Sequence, residues 1–199
     1  MRPEPYTRRE YVAAFRELAA RIASSLEGVP PEALPIRMYV AGGAALHFHT
    51  GERVSVDVDA VFSRRIALPG KLDVAYRDED GAARLLYFDR QYNDTLGLMH
   101  EDAQQDSLPL TLEGVDPGLL DVRILAPVDL AVSKLGRFSA QDRSDIEALA
   151  RRGLIAAPAL EARAMEALGG YIGDTQRLRG NIRAAVQLVG AQRKTRKRF

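Results

Sequence analysis

The 199-residue sequence contains no cysteine and no tryptophan, and it has no long uninterrupted apolar segment. The absence of cysteine excludes a disulfide framework and any zinc site built on thiolates. A helix needs about 20 apolar residues to cross a bilayer, and no segment approaches that length. The N-terminus, Met1-Arg2-Pro3-Glu4, also lacks the apolar stretch of a signal peptide. We therefore expect a cytoplasmic protein with no membrane partner.

Net charge is also scarce, at +1 from 28 basic and 27 acidic residues. Its distribution is uneven, because five of the last nine residues are basic, and without them the chain would carry −4. These five are Arg193, Lys194, Arg196, Lys197 and Arg198. A basic tail on a mildly acidic body favours contact with a polyanion such as RNA. The alternative is a solvated terminus without a partner.

A glycine turn follows the first strongly apolar segment. Tyr39-Val40-Ala41 is predicted to end a strand, and Gly42-Gly43 is predicted to lead into a short helix. Glycine lets the backbone N–H groups approach a phosphate, and the positive end of a helix dipole would lie behind them. Gly42 and Gly43 are therefore candidate phosphate-binding residues, although a Gly-Gly pair alone is more often only a turn.

Two carboxylates follow, with Asp57 standing 14 positions after Gly43. The segment 53–60 alternates in the manner of a strand, with Val54, Val56 and Val58 predicted on the buried face and Ser55, Asp57 and Asp59 on the other. Two adjacent negative charges repel unless a cation lies between them. Carboxylate oxygen is the ligand that Mg²⁺ prefers, usually together with substrate phosphates. Asp57 and Asp59 are therefore the predicted metal ligands, for Mg²⁺ or Mn²⁺.

Taken together, Gly42-Gly43-x-Ala-Leu and Arg53-x-Ser55-x-Asp57-x-Asp59 resemble the core of the nucleotidyltransferase superfamily. The form they resemble is that of the AbiEii-type toxin nucleotidyltransferases and of the bacterial proteins grouped as DUF6036. The resemblance implies a bound nucleoside triphosphate, and Arg53 and Ser55 are candidate phosphate-binding residues. From the residues alone, Arg53 either pairs with the two aspartates or caps the loop. Two hydroxyls of the related patterns are absent here, since Gly43 stands where many members have Ser and Ala44 where the AbiEii-like pattern has Thr.

A second match begins at Pro127, where Pro-x-Asp-Leu is followed by Lys134-Leu135 and by the pair Asp142 and Asp145. The resemblance implies that Lys134 offsets phosphate charge during catalysis and that the two aspartates belong to the nucleotide site. Two structural alternatives stay open. Lys134 could extend to solvent from an apolar helix, and Asp142 could form a capping box with Ser139.

Superfamily enzymes usually hold a third carboxylate, as a metal ligand or as a base for the incoming hydroxyl. Asp89 and Asp94, at and just beyond the end of the predicted strand at 84–88, are preferred by resemblance, because the third acid of the resembling proteins also precedes the helical lobe by a further hairpin. Asp121 is a further candidate.

The remaining pattern predicts an α+β fold, namely a nucleotidyltransferase-like mixed sheet core with flanking helices (residues 1–126) and a C-terminal helical lobe with the basic tail (residues 127–199). A capping box at Thr7–Glu10 predicts a helix from there to about residue 26. The other predicted segments follow the turn and periodicity signals. They are strands at 36–40, 72–76, 84–88, 108–112 and 120–125, and helices at 127–138, 140–152, 158–168 and 174–191.

Three functions from different classes are consistent with these features. The first is a metal-dependent enzyme that moves a nucleoside monophosphate from a triphosphate to a hydroxyl on RNA or protein. By resemblance the acceptor would be a tRNA end, and the protein would belong to a toxin–antitoxin pair with a cognate partner protein. The second is a catalytically lapsed member that acts as an antitoxin or regulator. The third is a nucleic-acid-binding protein without catalysis.

Overall fold

A computed structural model describes residues 1–3, 6–93 and 97–196, with the side chains of 193–196 excepted. The chain forms two compact units. The first contains residues 1–93 and 107–125, and the second contains residues 97–106 and the helices from 126 onward. Residues 97–106, which lie within the first predicted domain, therefore pack in the second unit. None of the described helices is long and apolar enough to cross a membrane.

The strands and the first two helices belong to the first unit. Helix α1 covers Arg9–Ser24 and helix α2 covers Gly42–Thr50, with a short 3-10 helix at Pro31–Ala33 between them. The strands are β1 (Ile36–Val40), β2 (Asp57–Val58), β3 (Ala60–Phe62), β4 (Asp73–Arg77), β5 (Ala83–Phe88), β6 (Leu108–Pro109) and β7 (Leu120–Ile124). The α+β fold class predicted from the sequence is confirmed.

Two mixed sheets form the centre of this unit. One has the strand order β3-β1-β7-β6, in which β1 and β7 are parallel and the outer strands antiparallel. The other has the order β2-β5-β4, in which β2 and β5 are parallel. The segment predicted as one strand at 53–60 is therefore divided, because β2 pairs in one sheet and β3 pairs in the other. Asp59 lies at this junction.

Helix α1 buries one face in the first unit, including Tyr11, Phe15, Leu18 and Ile22, all with 0% exposure. The helix begins one residue later than the predicted capping box requires. The N-cap is Arg8, without a side-chain cap. The backbone N–H of Arg8 donates a hydrogen bond to His47 Nε2 over 3.0 Å, so a tertiary contact satisfies this N–H at the start of the helix.

One predicted hairpin is present, and one predicted strand is shorter than expected. The β4–β5 hairpin turns at residues 78–82, where Gly81 has φ of 78°, as the sequence predicts. The strand predicted at 108–112 is mostly absent, since β6 contains two residues. The N–H of Leu110 still donates to the Val122 carbonyl of β7, but the N–H of Thr111 bonds to the carbonyl of Met1 on the opposite side.

The second unit contains α3 (Pro127–Ser133), α4 (Ala140–Arg151), α5 (Ala157–Gly169) and α6 (Thr175–Arg196). Helices α5 and α6 pack together, and α3 and α4 each pack on one of them. Helix α3 ends five residues before the predicted 138, because Lys134 is its C-cap and Phe138 has φ of 50°. Helix α6 continues five residues past the predicted 191.

Candidate functional site

The glycine turn forms the first turn of α2. Gly42 has φ of 57°, which favours glycine. A Cβ on Gly42 would lie 1.8 Å from Oδ2 of Asp59, so this carboxylate packs directly on the glycine. The backbone N–H of Ala41 also donates to the carbonyl of Asp59 over 2.8 Å. Hydrogen bonding and close packing therefore hold Asp59 at the N-terminus of α2, where first-turn N–H groups have no intrahelical partner.

Gly43 is also crowded, by two further predicted phosphate-site residues. A Cβ on Gly43 would lie 2.7 Å from Cβ of Ser55 and 2.9 Å from Nη1 of Arg53. The structure thus brings Gly42 and Gly43 together with Arg53, Ser55 and Asp59. A glycine turn, a helix N-terminus and a guanidinium at one place form an arrangement suited to an anionic ligand.

Asp57 lies in β2, two residues before Asp59, and both carboxylates are half-buried on either side of the fully buried Val58. The hydroxyl of Ser55 donates to the backbone carbonyl of Asp57 over 2.7 Å and lies 3.2 Å from the Tyr11 hydroxyl. Burial, together with the negative charge of Asp57, raises the pKa of Tyr11, while its bond to Ser55 acts in the opposite direction. Tyr11 is therefore a neutral phenol near Asp57.

The alternation predicted for 53–60 is wrong at two positions. Val56, predicted on the buried face, is 60% exposed, and Ser55, predicted on the open face, is 7% exposed. The physical reason is that Ser55 satisfies its hydroxyl through Tyr11 and the Asp57 carbonyl, so it can be buried at little cost.

Among the candidates for a third carboxylate, Asp89 lies nearest in register to the pair. Strand β5 pairs with β2 so that Tyr87 opposes Asp57 and Phe88 opposes Val58, and the N–H of Asp89 donates to the Val58 carbonyl over 3.1 Å. One Asp89 oxygen accepts the N–H of Gln91 at 2.8 Å.

The other two candidates differ from Asp89. Asp94 lies outside the described residues. Asp121 is held on β7 by Arg123 at 3.3 Å and Arg37 at 3.8 Å, which satisfies its charge.

The donor set at this place fits a hard divalent cation. Asp57 and Asp59 supply carboxylate oxygens, and Mg²⁺ is usually held by one or two carboxylates, with water and substrate phosphate completing its shell. No group of three or more His, Cys or acidic side chains in the described part of the chain is placed to hold a metal. Within that part of the chain, a cation here would take its remaining ligands from water and from substrate phosphate.

A family model described as a nucleotidyltransferase of unknown function (DUF6036) matches residues 17–180. The chain belongs to this family. The match includes the glycine turn, both carboxylates and the second motif, and it confirms the resemblance inferred from the residues. A search of curated proteins found no match.

Two buried residues that the sequence analysis missed position the site of this DUF6036 protein. His47 Nδ1 donates to the carbonyl of Arg53 over 3.0 Å, which fixes the backbone that carries Arg53. The ring of Tyr11 packs edge-on against His47 at 4.8 Å. Burial lowers the pKa of His47 to about 4, so the ring is neutral and its Nε2 can accept the Arg8 N–H. For Tyr11, the available signal in the sequence was its helical spacing with Phe15, Leu18 and Ile22, which predicts a buried helix face.

The second motif of the family forms an ion pair in the second unit. Lys134 Nζ lies 2.6 Å from Oδ2 of Asp145, and their side chains are 6% and 2% exposed. Gln141 donates to the other Asp145 oxygen over 2.8 Å. The alternative that Lys134 extends to solvent is therefore wrong, since a carboxylate compensates its charge within the protein. The phosphate role expected for Lys134 and Asp145 stays a prediction.

Asp142 forms the capping box predicted with Ser139. The N–H of Asp142 donates to the Ser139 hydroxyl over 3.2 Å, and the Ser139 N–H donates to the Asp142 carboxylate over 2.9 Å. Arg137 adds a bidentate pair, with both distances 2.8 Å. Burial acts to raise the pKa of Asp142, but the bonds from Arg137 and Ser139 outweigh it and lower that pKa to about 2. A nucleotide-binding role for Asp142 likewise stays a prediction.

Proposed function

We propose that this protein transfers a nucleoside monophosphate from a nucleoside triphosphate to a hydroxyl group, with Mg²⁺ or Mn²⁺ as cofactor. The observation that carries the proposal is the contact of the Asp59 carboxylate with Gly42 at the N-terminus of α2, with Asp57 two residues away. A phosphate-binding turn and a pair of carboxylates at one place are the parts that phosphoryl-group transfer needs.

Each residue has a role that follows from its position. Gly42 and Gly43 let Asp59, Ser55 and Arg53 approach the first turn of α2, whose N–H groups would bind phosphate oxygens, and the Arg53 guanidinium beside Gly43 adds a positive charge. Ser55 holds the backbone of Asp57 in place. Asp57 and Asp59 would hold the cation, which when bound supplies charge neutralisation of the triphosphate and orientation of its α-phosphate.

The transfer step is an in-line displacement at the α-phosphorus. The acceptor oxygen forms a bond to phosphorus, the bond to the bridging oxygen of the β-phosphate breaks, and pyrophosphate leaves. The proton of the hydroxyl passes to a carboxylate base, for which Asp89 is our choice because its backbone bonds directly to β2 between the two site aspartates.

The proposed acceptor is an RNA, with a tRNA end as the form suggested by resemblance to AbiEii-type toxins, or a hydroxyl on a protein. The same resemblance suggests a toxin–antitoxin pair, in which a cognate protein would be the partner.

A second candidate function is a binding module that keeps the fold without chemistry. One observation favours it, namely that Gly43 and the fully buried Ala44 supply no hydroxyl at the turn. Such a protein would bind nucleotide but transfer nothing.

The test is label transfer from each nucleoside triphosphate, labelled at the α-phosphate, to bulk RNA and to copurifying protein. Wild type should transfer label only with Mg²⁺ or Mn²⁺. Asp57→Asn with Asp59→Asn should lower the rate at least about a hundredfold, since loss of one preorganised charged group already costs that much. The double variant should stay folded and should lose the gain in Tm that metal plus nucleotide gives wild type.

The matched control is Asp80→Asn with Glu113→Gln, which neutralises two exposed carboxylates of the first unit away from the glycine turn. This control should transfer label at the wild-type rate. Nucleotide binding without transfer by wild type would favour the binding module. An unchanged rate in the site variant would remove Asp57 and Asp59 from the mechanism.

A further inference from the structure

A concave region of the first unit begins one residue after Asp59. It is a cavity of about 570 Å³, and we call it the arginine pocket after its three basic side chains. The residues that define it are Phe62, Arg64, Arg65, Asp89, Arg90 and Tyr92.

The positive charge of this pocket is not compensated by ion pairs within the part of the chain that the structure describes. Arg64 and Arg65 are exposed, and neither has an ion pair with any described residue. Arg90 donates to the backbone carbonyls of Pro69 and Gly70, which orient the guanidinium without neutralising it. Three cations and the one carboxylate of Asp89 give the cavity a net positive charge, which attracts an anion with several charges.

Aromatic surface accompanies this charge. Phe62 stacks on Phe88 with ring centroids 5.7 Å apart and an interplanar angle of 27°, and Tyr92 also lines the cavity. Arginines that track phosphates beside aromatic rings that stack on bases are the combination by which proteins bind single-stranded nucleic acid.

The pocket is continuous with the carboxylate site in the chain and in the sheet. Ala60, which directly follows Asp59, lines it, and so does Asp89, whose backbone bonds to Val58 in β2. The glycine turn contacts Asp59 from α2. A triphosphate would therefore lie at the glycine turn, and a nucleic-acid strand would lie in the arginine pocket. The two places are separate, but Asp59 and Asp89 are neighbours of both.

We propose that the arginine pocket binds the sugar–phosphate backbone of a single-stranded RNA, and that this RNA is the acceptor of the transfer reaction. The assignment of the RNA as acceptor rests on the proposed function, whereas binding of the RNA does not. Arg64 and Arg65 contact phosphates, and Asp89 lies where the pocket meets the carboxylate site.

The test compares full-length wild type with Arg64→Ala/Arg65→Ala in binding a fluorescein-labelled RNA of about 12 nucleotides, within the ~4–16 nucleotides that such sites occupy. Binding is measured by anisotropy between about 50 and 200 mM NaCl, where each phosphate contact on a single strand contributes about 0.7 to the logarithmic salt slope. The variant should bind more weakly and lose about 1.4 units of slope. The control Arg2→Ala/Arg9→Ala removes two exposed arginines of the same unit outside the pocket and should bind like wild type.

A parallel titration with nucleoside triphosphate and Mg²⁺ shows whether the arginine pocket binds the phosphates of RNA or those of the nucleotide. Equal affinity of Arg64→Ala/Arg65→Ala and wild type for the triphosphate, with weaker RNA binding by the variant, supports the proposal. Weaker triphosphate binding with unchanged RNA binding would assign the pocket to the nucleotide and overturn it. Unchanged binding of both, or no RNA binding by wild type, would also overturn it. If the protein binds RNA through the pocket but transfers no label, the proposed function is contradicted. The assignment of the pocket as an RNA-binding site then still holds.

Discussion

At the scale of single residues, Lys134 shows how a tertiary contact changes the expected effect of a substitution. An exposed lysine can be removed at little cost, but Lys134 is 6% exposed and its Nζ lies 2.6 Å from Asp145. Loss of one partner of a buried ion pair leaves an uncompensated charge, which costs about 3–5 kcal/mol. Lys134→Met should therefore lower the free energy of unfolding in urea by that amount.

The companion variant Lys134→Met/Asp145→Leu should recover most of this loss, because an apolar pair of similar volume replaces a buried ion pair at little cost. The control is Lys71→Met, at an exposed lysine, which should change stability by less than about 0.5 kcal/mol. If Lys134→Met were as stable as Lys71→Met, the ion pair would have no part in holding α3 to α4. Any activity assay on Lys134 variants has to be read beside this stability measurement.

At the scale of elements, helix α2 links the candidate site to acid sensitivity. Its residue His47 is fully buried, and burial lowers its pKa from 6.5 to about 4. Between these values the unfolded chain binds a proton that the folded protein does not, so stability is complete above pH 6.5 and falls as the pH drops toward 4. The shift corresponds to about 3 kcal/mol. Burial lowers the pKa of His49 on the same helix as well, which adds to the effect.

The measurement is the free energy of unfolding at intervals across this pH range, for wild type and for His47→Gln. The variant should be less stable than wild type at neutral pH, because it loses the two hydrogen bonds of the buried imidazole. It should lose stability less steeply on acidification, because glutamine does not titrate. Parallel curves for the two proteins would show that His47 is not the titrating group. Carboxylates contribute equally to both proteins and cancel in the comparison.

At the scale of the whole molecule, the uneven charge makes a prediction about RNA binding. The five basic residues of the tail lie outside those whose side chains the structure describes, so the polyanion-binding role expected from the sequence stays a prediction. Replacing Arg193, Lys194, Arg196, Lys197 and Arg198 by glutamine should weaken RNA binding. It should also flatten the salt slope by about 0.7 for each phosphate that the tail no longer neutralises.

Glutamine substitution keeps the length of the chain, so it separates charge from any effect of shortening α6. Deletion of residues 192–199 should give the same change in slope if charge alone is responsible. If neither variant changes the salt slope, the tail does not contact RNA phosphates.

Local signals in the sequence were sufficient to predict turns and helix caps, which are formed by residues close together in the chain. The hairpin around Gly81 and the capping box of Ser139 and Asp142 appear where the sequence placed them, because turns and helix caps are satisfied by residues only a few positions apart. The wrong predictions concern positions where a distant partner replaces the local one. The N-cap of α1 is Arg8, whose N–H donates to the distant His47, and Ser55 is buried because Tyr11 lies next to it.

The sequence by itself determined the family, the α+β class, and the spacing of Gly42, Gly43, Asp57 and Asp59, since these depend on residue order and on short-range conformational preference. Only the tertiary structure decided that the chain changes sheets at Asp59 and that this carboxylate packs on Gly42. It also decided that Lys134 is paired, and that Arg64, Arg65 and Arg90 share one cavity. These features join residues that are far apart in the chain, and the free energy that selects them comes from burial and charge pairing across the fold.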